Sequence, residues 1–532
     1  MPQSKSPITI TILETSDLHG SVMPIQYADN SYSEIGLALI ATLIRQERRL
    51  NPNTILIDNG DLIQGTPLAY YHCKMDNQSC DPMVLCLNQL QYDAAVFGNH
   101  EFNYGLNVLG KAVKESEFPW LAANIVEQGT GLPYFGKPYT IKQVEHGITV
   151  GILGLTTSYV PNWEAPNHIE GLKFIDVVQA AQQWIKVLRE VEKVDIVIVS
   201  YHGGLERDLE TGEPSELLTG ENEVYRICNE VEGIDVLLTG HQHRVLAAEL
   251  AGVVVIQPGY KGSHVGKVTL ELEQKEGSWK IGRKEAQLLS VEGVVADSEI
   301  VKVIQTYEQD TQKWLDIPIG EVVGDMRITD PMAVRTQTHA MIEFINQVQM
   351  ECADVHISNT ALFDDIARGF GSQITMRDVV SNYVYTNSLR VIRISGQDIK
   401  DALEQSASYF APYDGEGFKV SEAFLTPKPQ HYNYDMWTGV EYRINIARPV
   451  GDRVTMLNIH GQPIDLQAEF DVVMNSYRAG GGGNYTMFYG KPVMRDIPTE
   501  VSELITNYIL EKGTIQATVH PSWQVVYDED EA

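Results

Sequence analysis

The sequence predicts an α/β protein of two domains, and three observations carry that prediction. Its 532 residues are too many for one ordinary hydrophobic core. Through the first half, runs that read as strands alternate with runs that read as helices, and the strands end in loops rich in Asp, Asn, His and Gly. After about residue 315 that rhythm fades, which gives domains of residues 7–315 and 316–532.

Composition excludes several classes of function. A net charge of −31 and the lack of a basic block argue against binding a nucleic-acid duplex, itself a polyanion. The same acidity repels small phosphates at long range, so an anionic ligand has to be captured locally by metal ions or a few arginines. No run of about 18 apolar residues is present to cross a membrane. Met1 to Ser6 offer no basic start followed by an apolar stretch, so the expectation is a cytoplasmic protein, or an extracytoplasmic one if a leader has been removed. The five cysteines are Cys73, Cys80, Cys86, Cys228 and Cys352. Cys73 and Cys80 are spaced to pair, but the set reads as scattered reduced thiols, which favours the cytosol.

Taken in order, Ile8 to Leu13 alternates Thr with Ile and Leu as a strand does, and runs into Glu14-Thr15-Ser16-Asp17-Leu18-His19-Gly20. If extended geometry continues to position 19, Asp17 and His19 point to the same side. Glu34 to Leu50 places Leu37, Ile40, Ala41 and Ile44 on one face of a helix, stopped by Asn51-Pro52-Asn53. Thr54 to Asp58 is a second strand ending in Asn59-Gly60-Asp61, which completes a βαβ unit. Tyr92 to Phe97 breaks into Gly98-Asn99-His100-Glu101-Phe102-Asn103-Tyr104-Gly105. Further strands, Ile148 to Leu155, Val194 to Ser200, Ile234 to Leu238 and Val253 to Ile256, deliver Thr156, His202, His241-Gln242-His243 and Gln257-Pro258-Gly259 at their ends. Gly105 to Lys111 mimics a phosphate-binding P-loop, but Ala112 stands where Ser or Thr must reach magnesium, so this stretch is read as a helix start.

Open α/β sheets place ligands at the carboxyl ends of their strands. There the chain supplies Asp17, His19, Asp61, Asn99, His100, His202, His241 and His243. Nitrogen and oxygen donors without thiolate point to Mn, Zn, Co or Fe rather than calcium. Eight candidates are too many for one ion. Two divalent ions bridged by a carboxylate fit better, and such a pair suits a phosphoryl group.

Asp17-x-His19, Gly60-Asp61, Gly98-Asn99-His100-Glu101, His202 and Gly240-His241-x-His243 resemble, in order, the motifs of the calcineurin-like metallophosphoesterases. Gly60-Asp61-x-x-Gln64-Gly65-Thr66-Pro67 narrows the resemblance to the 5′-nucleotidase family. It implies a four-layer α/β/β/α metallophosphoesterase domain followed by a C-terminal α/β substrate-binding domain. Asp17, His19, Asp61 and His243 would hold one ion; Asp61, Asn99, His202 and His241 the other, with Asp61 as the bridge. His100 would stabilise the phosphate or protonate the leaving alkoxide. Many 5′-nucleotidases place an aspartate three residues after this histidine, where this chain has Asn103. That run is more similar to the 2′,3′-cyclic-nucleotide 2′-phosphodiesterase/3′-nucleotidase branch. Nucleotides are the implied substrates, with 5′-nucleotidase or nucleotide-sugar hydrolase as alternatives and a metal-dependent nucleotide-binding protein as the non-enzymatic one.

Val294 to Leu315 reads as an amphipathic helix carrying Ile300, Val303, Ile304, Tyr307 and Trp314, which the resemblance makes an interdomain helix. Thr336 to Cys352 reads as a helix, and Ser381 to Ser406 as strand, turn and helix. In the second half the resemblance puts Asn359 near the substrate. It puts one aromatic from each of His431-Tyr432-Asn433-Tyr434-Asp435 and Asn475-Ser476-Tyr477-Arg478 on the base. Tyr434 and Tyr477 are the first choices, and Tyr432 is the rival to Tyr434.

Overall fold

The computed structural model describes residues 7–527 except 216, 217, 276, 386, 427 and 498. Met1 to Ser6, on which the expectation about a leader rests, lie outside the described residues. These form two compact units, one within Met1–Gln26 and Asn30–Thr311, the other within Tyr27–Asp29 and Gln312–Ala532.

The first unit is built on two six-stranded sheets. One runs Ser278–Ser290, His264–Lys275, Ile8–Thr15, Thr54–Asp58, Ala94–Val96, Trp120–Leu121; the last four strands are parallel. The other runs Val245–Leu250, Val253–Pro258, Val236–Thr239, Ile196–His202, Thr149–Thr156, Tyr139–Gln143, with its four central strands parallel. They pack face to face through one apolar core, in which Ile10, Ile12, Ile55 and Ile57 meet Ile152, Ile198, Val236 and Ile256. Period-2 alternation explains the next layer. Ile196 and Ile198 point into that core, whereas Val197 and Val199 point to the helices Val177–Lys186 and Val224–Glu230. On the far side of the first sheet the helix Leu37–Leu50 packs on His264–Lys275, aided by Lys267 and Glu47 at 2.8 Å. The order is therefore helix, sheet, sheet, helix. All five parallel strands that were expected to carry the site form, and their carboxyl ends gather at one edge of the sandwich.

Boundaries move for identifiable reasons. The helix starts at Leu37 rather than Glu34 because Gly36, at φ 104°, is outside helical geometry. Gly105–Glu115 is a helix, as the dismissal of the P-loop required.

The second unit has a five-stranded mixed sheet in the order Asp435–Thr438, Ile357–Ala361, Glu469–Asn475, Leu389–Ser395, Val493–Ile497, against which Ala340–Ala353 and Gly396–Ala407 pack. The same unit holds a four-stranded sheet in the order Gln462–Pro463, Val454–Ile459, Glu441–Asn445, Trp523–Val526. The expected helix from Thr336 is two helices, Pro331–Thr336 and Ala340–Ala353, because His339 leaves helical geometry to cap the second with its ring nitrogen. Ser381 and Asn382 end a helix, Met376–Asn382, rather than opening a strand; a reciprocal Thr375–Asp378 capping box had already started it. All five cysteines are free thiols, including Cys73 and Cys80. Among the described residues no helix is long and apolar enough to cross a membrane.

Candidate metal centre

Parallel pairing does not stop where the strands stop. Past Thr15 the loop continues the ladder, Asp17 N–H donating to Gly60 O at 2.9 Å, His19 N–H to Asp61 O at 2.8 Å and Gly20 N–H to Leu62 O at 2.9 Å. Two strand-exit loops are thus zipped together, and their side chains turn to one spot.

They do so by a route that extended geometry does not provide. Asp17 (φ 53°), His19 (φ 49°), Asp61 (φ 55°), His241 (φ 69°) and His243 (φ 57°) all adopt left-handed backbone. The expectation that Asp17 and His19 share a side because the strand continues is therefore corrected: the strand ends at Thr15 and each residue is aimed individually. Asp and His enter this region more readily than most residues, yet each instance still costs about 1–3 kcal/mol. Five at one edge mean that the surrounding contacts hold these side chains against a local preference.

Two clusters of donors result. Asp17, His19 and His243 form one; Asp61, His202 and His241 form the other. Asp61 joins them: its Oδ2 lies 3.2 Å from His202 Nε2 and 3.8 Å from His19 Nε2. Its Oδ1 accepts the His100 backbone N–H at 2.8 Å. Asn99 Oδ1 lies 3.2 Å from His202 Nε2 and 2.9 Å from His241 Nδ1. His243 Nε2 lies 3.4 Å from Asp17 Oδ1 and 3.2 Å from His19 Nε2. All seven residues expected to bind metal are thus brought together, and six line the two clusters named above, with Asn99 beside the second.

Whether ions fit can be judged from what the rings do on their other side. His19 Nδ1 faces Gln64 O at 3.1 Å and His202 Nδ1 faces Asn59 O at 2.7 Å; a carbonyl only accepts, so both nitrogens carry the proton. Their inward Nε2 atoms are then lone pairs, and they look at other acceptors. Such a gathering calls for a cation at its centre, and outward hydrogen bonds that orient ligating imidazoles are the usual support of a metal site. For His19 the electrostatics agree: burial lowers it to about 4, which leaves its lone pair free at neutral pH. Burial also opposes charge on His202, but Asp61 beside it outweighs that and lifts the ring to about 10, so a cation at this nitrogen would have to displace a proton held against Asp61. Burial pushes Asp61 upward, but His202 and His100 hold it well below the usual carboxylate range.

Several supporting residues gave no signal of their role in the sequence. Glu101, fully buried, accepts backbone N–H groups from Asp61 (2.8 Å), Leu62 (2.6 Å), Ile63 (3.3 Å) and Gly98 (2.5 Å), which ties the second and third strand exits together. It stands inside the quoted run, where a carboxylate next to the histidine was the available hint. Glu221 Oε1 faces His241 Nε2 at 2.9 Å from a polar loop with no motif. Tyr260 stacks on His243 at 4.6 Å and 3°, and Trp163 lies 5.4 Å from His241. Gly98 is required by close approach, since a Cβ there would lie 2.2 Å from Asp61 Oδ1. Gly98→Ala is expected to displace Asp61 and to cost the purified protein at least one bound ion by elemental analysis; full metal content would refute this.

His100 sits beside the clusters, its ring 5.3 Å from that of His19, with Nδ1 2.7 Å from Asn103 Oδ1. The tyrosines of the second unit divide. Tyr434 is fully buried, its hydroxyl donating to Arg335 O at 2.7 Å and its ring packed on Tyr409 and Phe410. This corrects the first choice for stacking, because no face of Tyr434 is left to meet a base. Tyr432 and Tyr477 are half-buried and meet edge to face, their rings 6.3 Å apart at 69°, with Tyr385 at 5.8 Å from Tyr432. Behind them the buried Arg478 pairs with Asp435 at 2.7 Å. Asn359 is fully buried, and neither its Oδ1 nor its Nδ2 has a partner among the described residues.

Comparison with known proteins adds ancestry to this geometry. Residues 10–245 match the calcineurin-like phosphoesterase family, and residues 318–490 match the 5′-nucleotidase C-terminal domain. The chain is 28% identical to the trifunctional nucleotide phosphoesterase protein YfkN of Bacillus subtilis, over 98% of this chain but 39% of that protein, so it spans well under half of that relative's length. It is 29% identical to a 2′,3′-cyclic-nucleotide 2′-phosphodiesterase/3′-nucleotidase of Salmonella typhimurium, over 89% of this chain and 82% of that protein. A Staphylococcus aureus structure with a provisional 5′-nucleotidase assignment is 36% identical and superposes with a TM-score of 0.88, covering 98% of this chain and 100% of that one.

Proposed function

This chain belongs to the 5′-nucleotidase family of calcineurin-like phosphoesterases, and from that premise we propose that it is a two-metal hydrolase of nucleotide phosphoesters, a 2′,3′-cyclic-nucleotide 2′-phosphodiesterase/3′-nucleotidase. The observation that carries the reading is the meeting of two donor clusters at Asp61 Oδ2. Catalysis is assigned to a domain of residues 7–315 and base recognition to one of residues 316–532.

Asp17, His19, Asp61 and His243 would hold one divalent ion, and Asp61, Asn99, His202 and His241 the other; Mn, Zn, Co or Fe suit these nitrogen and oxygen donors. When bound, such ions neutralise phosphoryl oxygens and make water a nucleophile at neutral pH. The chain's own groups do the rest. Asn103 holds the His100 ring in one orientation, so that Nε2 faces the phosphate and, with Nδ1 keeping its own proton, passes a second proton to the departing oxygen. The His100 N–H to Asp61 bond couples the position of that ring to the bridging carboxylate. Tyr432 and Tyr477 hold the base by stacking, which every base offers a face to.

A second reading, 5′-nucleotidase, is favoured by the 36% identity to the Staphylococcus aureus structure. Initial rates on 2′,3′-cyclic AMP, 3′-AMP and 5′-AMP with defined metals separate the two. The cyclic and 3′ esters are expected to lead; preference for 5′-AMP would establish the second reading. A tight nucleotide complex that forms no product with fully metallated protein would overturn both. Within the same assay, Tyr432→Ala is expected to raise KM roughly 5- to 150-fold, the equivalent of about 1–3 kcal/mol of stacking, with little change in Tm. Tyr434→Ala is expected to act through stability instead, at about 3–5 kcal/mol for an aromatic removed from a packed core. The opposite pattern would return Tyr434 to the base.

A further inference from the structure

The mechanism uses the His100–Asn103 pair but leaves open what holds the amide. Asn103 Nδ2 lies 2.7 Å from Glu164 Oε2. Glu164 is almost wholly buried, and its other oxygen is already committed, accepting the Ala165 N–H at 2.8 Å and facing His168 Nδ1 at 2.9 Å. It follows the turn Val160–Asn162, and its neighbour Trp163 lies against His241.

We propose that Glu164 is a positioning residue for the reaction: it sets the direction of the Asn103 amide and, through it, the tautomer that His100 presents to the substrate. The inference rests on the reading of His100 as the residue that meets the phosphate. Its logic is one of donors and acceptors. A carboxylate has no hydrogen to give, so only the NH2 end of Asn103 can satisfy Glu164. The amide oxygen is then turned to His100, where it can only accept, which keeps a proton on Nδ1 and leaves Nε2 to take up the proton that is handed to the departing oxygen. Without Glu164 the amide is free to rotate by half a turn. Its NH2 would then face Nδ1, which would have to give up its proton in order to accept, and a ring held that way cannot carry the second proton that makes it an acid. Leaving one oxygen of a buried carboxylate without its partner is costly, so the pair is held tightly in both directions. A charge is not what Asn103 needs from position 164; it needs an acceptor in a fixed place.

That distinction gives the test. Glu164→Gln keeps an acceptor oxygen for Asn103 at the expense of the Ala165 N–H and is expected to lower kcat by less than Glu164→Ala, which is expected to lower it at least tenfold with KM little changed. Asn103→Asp alone sets two carboxylates against each other and is expected to lower kcat at least tenfold. Combined with Glu164→Gln, the same change is expected to recover most of that loss, since the glutamine NH2 now donates to the new carboxylate. The coupling thus changes sign with the residue at position 164, which a merely structural role would not produce. Ring-nitrogen NMR of His100 adds a readout independent of turnover: one Nδ1–H tautomer in the parent and in Glu164→Gln, a mixture or the reverse tautomer in Glu164→Ala. If the parent hydrolyses none of the nucleotides, the assignment of function falls while the NMR comparison still judges Glu164. Independent, multiplying effects of the two positions, or a His100 tautomer indifferent to Glu164→Ala, would overturn the proposal.

Discussion

Replacing Asp61 with alanine is expected to remove hydrolysis of every nucleotide ester tested, by on the order of 10³-fold or more, and to strip the protein of more than one ion. The magnitude follows from geometry. Asp61 Oδ2 faces histidines of both clusters, at 3.2 Å from His202 Nε2 and 3.8 Å from His19 Nε2. Losing it therefore weakens both sites, and metal stabilisation of a phosphoryl group amounts to several kcal/mol, each 1.36 kcal/mol being tenfold in rate. The His100 backbone N–H would also lose its acceptor. Asn103→Ala offers the contrast: it touches no cluster donor directly, so metal content should stay at the parent value while kcat falls. Elemental analysis beside initial rates checks both. Equal metal content and equal rates in the two variants would remove Asp61 from its central place.

Glu101→Ala is expected to be the most destabilising single change in the first unit, at about 3–5 kcal/mol. Four backbone N–H groups end on this one buried carboxylate, three from the exit of Thr54–Asp58 and one from the exit of Ala94–Val96. Glu101 is fully buried, so alanine takes away the acceptor those donors share. A loss of that size corresponds to a fall in Tm of roughly 10 °C for a domain this large. Because the same bonds set the direction of Asp61, metal should be lost alongside stability, and added metal should restore part of the Tm by binding the folded form. Differential scanning calorimetry with and without metal reads both. A Tm within 2 °C of the parent would mean that the loops hold their shape without Glu101.

Much of this was legible in the chain alone. Strands alternating with helices, and a loaded loop after each strand, follow from hydrophobic periodicity and from where Gly, Asp and His interrupt it. That was enough to nominate Asp17, His19, Asp61, Asn99, His202, His241 and His243, and all seven meet at one sheet edge. Local pattern misled where a residue's surroundings decide its role. Tyr432 and Tyr434 differ by two positions and look alike in sequence, but the packing of Tyr409 and Phe410 takes the second into the core and leaves the first half-exposed.

The amino-acid sequence by itself determined the layered α/β architecture and the identity of the donors, because periodicity and side-chain chemistry are properties of the chain read in one dimension. Only the tertiary structure decided how those donors are aimed and held. Five of them sit in left-handed backbone that their own preferences oppose, and they stay there because distant groups, Glu101, Gln64, Glu221 and the His241 N–H, make hydrogen bonds to them that no neighbour in sequence provides. Such contacts span from about 20 to more than 200 positions, and a separation of that kind leaves no local pattern to read.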